Sequence, residues 1–146
     1  MKKISVIILG LFSATVFAGE CDINLETTDS MAYKTNEITL KKSCQEVTLN
    51  FKNNGTLAKA VMGHNVVISK KADMDAVIKD GMTAGLANNY VKNKDSRVVA
   101  ATNVIGGGES TSVKFKLNGL TTNEPYVFYC SFPGHAAVMK GNVKFN

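Results

Sequence analysis

Val47, Leu49 and Phe51 alternate with the polar residues Thr48, Asn50 and Lys52, a period of two that buries one face of a strand and leaves the other wet. Asn53-Asn54-Gly55 ends this run with turn residues. Val66, Val67 and Ile68 predict a further strand, as do Arg97 to Ala101. Val113, Phe115 and Leu117 repeat the alternation, Tyr126 to Cys130 is an aromatic-rich strand after Pro125, and Val143 and Phe145 predict a short closing strand. One segment changes period. Met74, Val77, Ile78 and Met82 fall at helical spacing, Asp73 and Asp75 suit the positive end of a helix dipole, and Gly85 predicts the stop. That apolar stripe predicts packing rather than a cofactor box. Six to eight short strands with one inserted α-helix predict an all-β fold, a Greek-key β-sandwich or barrel. Neither internal repeats nor low-complexity stretches interrupt it.

The first 18 residues follow a different logic. Met1-Lys2-Lys3 is a short positive start, Ile4 to Phe17 is apolar, and Val16-Phe17-Ala18 presents short side chains where a signal peptidase reads. An apolar run of about 14 residues falls short of the roughly 20 needed to span hydrocarbon. Residues 1–18 are therefore expected to be a signal peptide cut after Ala18, leaving residues 19–146 as a single exported domain in the periplasm. Glu20, directly before Cys21, stands where a lipoprotein signal needs a small residue, so no stable membrane attachment is expected.

Composition narrows the function classes. Hydrophobic residues make up 45% of the chain and charged residues 20%, a balance that excludes disordered and collagen-like chains. The 17 basic and 12 acidic residues give a net charge of +5, two of the lysines lying in the leader. So mild and dispersed an excess does not point to nucleic acid. The pairs Lys41-Lys42 and Lys70-Lys71 read as solvated surface.

Three cysteines and two histidines are a short supply of reactive groups. Export permits disulfides, and pairing Cys21 with Cys44 would close a loop of some 22 residues, worth roughly 3 kcal/mol in the chain-entropy model. Cys130 is then the odd thiol. It opens the segment Cys130-Ser131-Phe132-Pro133-Gly134-His135-Ala136-Ala137-Val138-Met139, the pattern C-x4-H-x3-M, and the other histidine is His64. Taken singly, Cys130 reads as a small buried hydrophobe, Met139 as core filler and His64 as a structural histidine. Together they make two imidazoles, a thiolate and a weak axial thioether, the blue-copper ligand set. A Cys130–His135 nucleophilic dyad and a zinc site on one Cys and two His are the rivals. Zinc seldom needs a methionine, which favours copper.

These residues resemble the azurins, a blue-copper cupredoxin family of bacterial electron transfer. The resemblance runs from Gly19-Glu20-Cys21 to the final strand, through Val61-Met62-Gly63-His64-Asn65, Ala72-Asp73-Met74, Asp80-Gly81-Met82, and Cys130-x-Phe132-Pro133-Gly134-His135 ending in Met139-Lys140-Gly141. The x4 and x3 spacings match azurin, whereas plastocyanin and amicyanin use shorter ligand loops. The resemblance implies His64, Cys130 and His135 as strong ligands of one copper ion, Met139 as a distant axial ligand and the Gly63 carbonyl opposite it. It implies that Asn65 ties the ligand loop to the strand carrying His64, and that backbone N–H groups, Phe132 among them, tune the thiolate. Cys21–Cys44 matches the family's disulfide, and the helix from about Ala72 would be a flap outside the sandwich.

The same resemblance implies an uncharged docking patch of Met31, Leu57, Val61, Met62, Met82, Phe132, Pro133, Gly134, Ala137 and Val138, with the His135 edge as the electron's doorway. Brief encounters with redox donors and acceptors of cytochrome or reductase type would then depend weakly on salt. The expected function is that of a monomeric periplasmic electron carrier cycling Cu(II)/Cu(I), not an enzyme; copper storage or delivery is the alternative. Two departures stand out. Val66 replaces a tryptophan common two residues after the first histidine ligand, and Asn53 stands where some members carry a further histidine.

Overall fold

The alternating segments fold as eight strands: β1 Asp22–Thr27, β2 Glu37–Leu40, β3 Glu46–Asn53, β4 Val67–Lys70, β5 Val98–Ala101, β6 Ser110–Lys116, β7 Tyr126–Tyr129 and β8 Lys140–Phe145. The structure is a computed structural model that describes residues 19–146, so the leader expected at residues 1–18 lies outside the described residues. Two helices interrupt the strands, the single turn α1 at Lys59–Met62 and the longer α2 at Met74–Ala84.

The strands form two sheets, a three-stranded one in the order β1-β3-β6 and a five-stranded one in the order β2-β8-β7-β4-β5. β1 runs parallel to β3 and β2 parallel to β8, while the other pairs are antiparallel. The two sheets close over one core in a cupredoxin-type β-sandwich, the all-β fold expected from the strand pattern. In β3, Val47, Leu49 and Phe51 are at most 1% exposed, as the period of two requires. They meet Ile68, Tyr126 and Phe128 of the larger sheet in the same core.

Strand β7 shows why its sequence does not alternate. All four of its residues are buried. Tyr126 and Phe128 point into the sandwich, whereas Val127 and Tyr129 pack outside it with Met74 and Val77 of α2. A sheet covered on both faces reads as a continuous apolar run. Helix α2, preceded by a 3-10 turn at Lys71–Asp73, supplies that cover. Of its expected stripe, Met74 and Val77 are buried and Ile78 is partly so, but Met82 is 56% exposed. Met82 therefore leaves the packing face.

Strands β1 and β2 were not singled out from the sequence, although Leu25 and Thr27 in β1 and Ile38 and Leu40 in β2 are buried at alternate positions. The disulfide Cys21–Cys44 is present, with its Cα atoms 5.8 Å apart. It ties the start of β1 to the turn that precedes β3. What matters for the site is the antiparallel pairing of β4 with β7, which sets Val67 opposite Tyr129. The residues just before β4 and just after β7 are thereby brought to one end of the sandwich.

Candidate metal centre

Those residues are His64 and Cys130. His64 is held by a reciprocal backbone pair with Ile105, its N–H donating to the Ile105 carbonyl at 3.0 Å and its carbonyl accepting the Ile105 N–H at 2.8 Å. Cys130 is a free, buried thiol. After it the chain leaves the sheet, turns at Gly134, whose φ of +83° suits glycine, and enters a single 3-10 turn at His135–Ala137. Backbone bonds close this loop on itself. The His135 N–H donates to the Phe132 carbonyl at 3.0 Å, the Met139 N–H to the His135 carbonyl at 2.8 Å, and the Cys130 N–H to the Met139 carbonyl at 3.1 Å.

The loop closure brings His135 back beside the sulfur. Cys130 Sγ lies 3.6 Å from His135 Nδ1 and 3.9 Å from His64 Nδ1. The three donor atoms all fall within 4.8 Å of one another, and the imidazole rings are 4.9 Å apart, centre to centre. His64 and Cys130 are fully buried and His135 is 4% exposed. Met139, also fully buried, is fixed by its two backbone bonds to the ligand loop. Gly63 packs so closely that a Cβ there would lie 2.4 Å from the Lys59 carbonyl oxygen and 2.6 Å from Val104. Only glycine fits.

Electrostatics explain what this cluster lacks. Burial, then the neighbouring His135, push His64 down to about 4, against weaker pulls from the Thr28 backbone and Asp29. Burial likewise lowers His135. Burial pushes the Cys130 thiol up to about 11, opposed by the backbone N–H groups of Asn65 and Phe132. Without a cation, the cluster is thus two neutral imidazoles and an un-ionised thiol. His64 Nε2 is buried with no acceptor in regular hydrogen-bond geometry. A soft cation reverses the thiol's preference, because the thiolate is the ligand form and neutral imidazole nitrogens bind without losing a proton. The donor set fits one copper ion.

A second layer of contacts holds the site together. The side chain of Asn65 accepts the Ser131 N–H at 2.8 Å and donates to the Ser131 hydroxyl at 2.8 Å and the Asn89 carbonyl at 2.9 Å. The Phe132 ring lies tilted against His135, centre to centre 4.8 Å, and meets Tyr90 edge-on at 5.3 Å. Ser131, Asn89 and Tyr90 were not singled out from sequence. Ser131 adjoins the odd cysteine, but Asn89 and Tyr90 carry no local signal beyond a loop with positive φ at both.

The uncharged positions named from the sequence divide by exposure. Met31, Leu57, Val61, Met82 and Val138 are the exposed large hydrophobic residues of the described chain. Pro133, Gly134 and Ala137 are also exposed, whereas Met62 and Phe132 are half-buried. Five of these, Phe132, Pro133, Gly134, Ala137 and Val138, flank His135 within the ligand loop.

Comparison with known proteins agrees with this geometry. Residues 19–146 match the family described as copper binding proteins, plastocyanin/azurin family. The azurin of Alcaligenes faecalis is 54% identical over 124 residues, covering 85% of this chain and 97% of that protein. The azurin of Pseudomonas aeruginosa is 47% identical over 142 residues, covering 97% and 96%. Among solved structures, an azurin from the methylotroph Methylomonas sp. strain J superposes with a TM-score of 0.85 at 44% identity, covering 88% of this chain and 99% of that one. A buried pair of imidazoles around a free thiol, set in this sandwich and matched from Gly19 to Asn146, places the chain in the plastocyanin/azurin family of copper-binding proteins.

Proposed function

We propose that the mature chain, residues 19–146, is a blue-copper electron carrier of the periplasm. The observation that carries this reading is the convergence of Cys130 Sγ with Nδ1 of His64 and of His135 in a site shut off from water. When bound there, copper supplies one-electron chemistry between Cu(II) and Cu(I). His64, Cys130 and His135 would hold it as strong ligands, and Met139 and the Gly63 carbonyl would serve as weaker donors.

The chain's own part is to hold the donors still. His64 is pinned to Ile105 and the ligand loop is bonded to itself, so the donors keep one arrangement whichever charge they face. Little movement means a small barrier to electron exchange. Because the protein's own groups enclose the site, no position is left for a substrate, in contrast to catalytic metal sites that keep one open. The reading is therefore of a carrier rather than an enzyme.

Access is at one end. His135 alone of the three strong ligands keeps any solvent exposure, and Pro133, Gly134, Ala137 and Val138 surround it in sequence. With Met31, Leu57, Val61, Met62, Met82 and Phe132 they form the proposed docking patch, on which another redox protein rests briefly with its centre near the His135 ring. Small apolar contacts of this kind suit transient partners.

The test is a redox titration of the copper-loaded protein followed by a challenge with a Cu(I) chelator. A carrier takes up one electron per copper reversibly and keeps its metal in both states. Rapid loss of Cu(I) to the chelator would favour storage or delivery instead.

A further inference from the structure

Tyr33 lies far from the ligand motif in sequence, yet its hydroxyl donates to the backbone carbonyl of Asn65 at 2.6 Å. Asn65 follows His64 directly and is itself fully buried. Its side chain holds Ser131 at two points, and its backbone N–H acts on the Cys130 sulfur. Tyr33 thus touches the residue whose side chain fastens the His64 segment to the Cys130 segment.

The surroundings of Tyr33 are built to keep it there. It pairs with Thr27 as an isolated antiparallel bridge, the Lys34 N–H donates to the Glu26 carbonyl at 2.9 Å, and the Thr27 hydroxyl closes the intervening loop on the Ala32 carbonyl at 2.7 Å. The ring packs against Phe128 at 5.1 Å and Phe51 at 5.9 Å. Burial pushes the phenol well above its ordinary value, so the hydroxyl stays protonated and keeps its donor role.

We propose that Tyr33 is a positioning residue for the metal centre: by gripping the Asn65 carbonyl, its hydroxyl fixes the Asn65 N–H toward the Cys130 sulfur and so raises the reduction potential of the bound copper. An N–H aimed at a thiolate withdraws electron density from the sulfur, weakens its donation and favours the reduced ion; hydrogen bonding around this sulfur is a recognised lever on such potentials. The effect on potential rests on the copper-carrier reading, whereas the hold on Asn65 does not.

The test is Tyr33→Phe, which keeps the ring and deletes one oxygen. In the copper-loaded variant the reduction potential should fall with copper stoichiometry and circular dichroism unchanged. In the metal-free variant, amide hydrogen exchange at Asn65 and Ser131 should speed up. Site-specific 3-fluorotyrosine at position 33, a stronger donor of nearly the same shape, should shift both readouts the opposite way and serves if Tyr33→Phe does not fold. A potential and an exchange pattern equal to the parent's, even with a lowered melting temperature, would overturn the proposal. A parent protein that never takes up copper would instead defeat the carrier reading, and the metal-free exchange would still decide whether Tyr33 holds Asn65.

Discussion

The side-chain amide of Asn65 and the residue Ser131 grip each other twice, Oδ1 accepting the Ser131 N–H and Nδ2 donating to the Ser131 hydroxyl, both at 2.8 Å. The first residue follows one histidine of the cluster and the second follows its cysteine. Two segments 66 positions apart in sequence are thus fastened beside the atoms whose spacing matters. Asn65→Ala removes the grip and leaves buried polar groups without partners, each costing about 1–3 kcal/mol. We expect a stability loss of about 2–4 kcal/mol in urea unfolding, with far-ultraviolet circular dichroism unchanged. A loss well under 1 kcal/mol would mean the grip contributes little.

Cys130→Ser tests the sulfur separately from the fold. The two-sheet core contains no contribution from Cys130, so the variant should fold and retain its dichroism spectrum. It should show no intense visible absorption with Cu(II), because a hydroxyl does not replace the thiolate. A blue Cys130→Ser protein would refute the thiolate assignment.

The loop after α2 predicts a pH effect. Arg97 donates to Asp95 at 2.8 and 2.5 Å and to Asp80 at 2.6 Å. The Arg97 side chain holds the Asp95 carboxyl below its ordinary value, and that carboxylate is only 4% exposed. A carboxyl lowered in the folded state adds stability above its unfolded pKa and forfeits it as the pH falls through the folded one. Asp95→Asn should therefore be less stable than the parent at pH 7, and the gap should close below pH 3.8. A gap independent of pH would show that the charge is not responsible.

The disulfide sits on elements that carry no ligand. Replacing Cys21 and Cys44 together by Ala should lower stability by about 3 kcal/mol, as expected for freeing a loop of this length. Copper binding and its spectrum should persist. Loss of the visible band in this double variant would show that the bridge reaches the site.

Much of this was legible in the chain. The alternation in β3 announced a half-buried strand, and the change of period at Met74 announced α2, because each pattern reflects which face meets the core. The C-x4-H-x3-M run was legible because short loops bring neighbours in sequence together in space. Met82 carried two readings, one in the helical stripe and one in the uncharged patch; it lies in the last turn of α2 and is 56% exposed, so it does not pack with the stripe. Tyr33 and Asn89 were invisible, since their roles come from a carbonyl each meets or offers across the fold, and backbone carbonyls leave no mark in a sequence. β1 and β2 were missed although each buries every second residue toward its end, Leu25 and Thr27 in β1 and Ile38 and Leu40 in β2. What the sequence did not carry is their parallel pairing with β3 and β8, which joins segments distant along the chain.

The most direct measurement is the visible absorption of the purified protein during titration with Cu(II), then after a mild reductant. A blue band that grows to one equivalent of copper, bleaches on reduction and returns on reoxidation is the predicted result. A colourless protein at full copper loading, or a colour that reduction leaves unchanged, would contradict the assignment of Cys130, His64 and His135 to a redox-active copper ion.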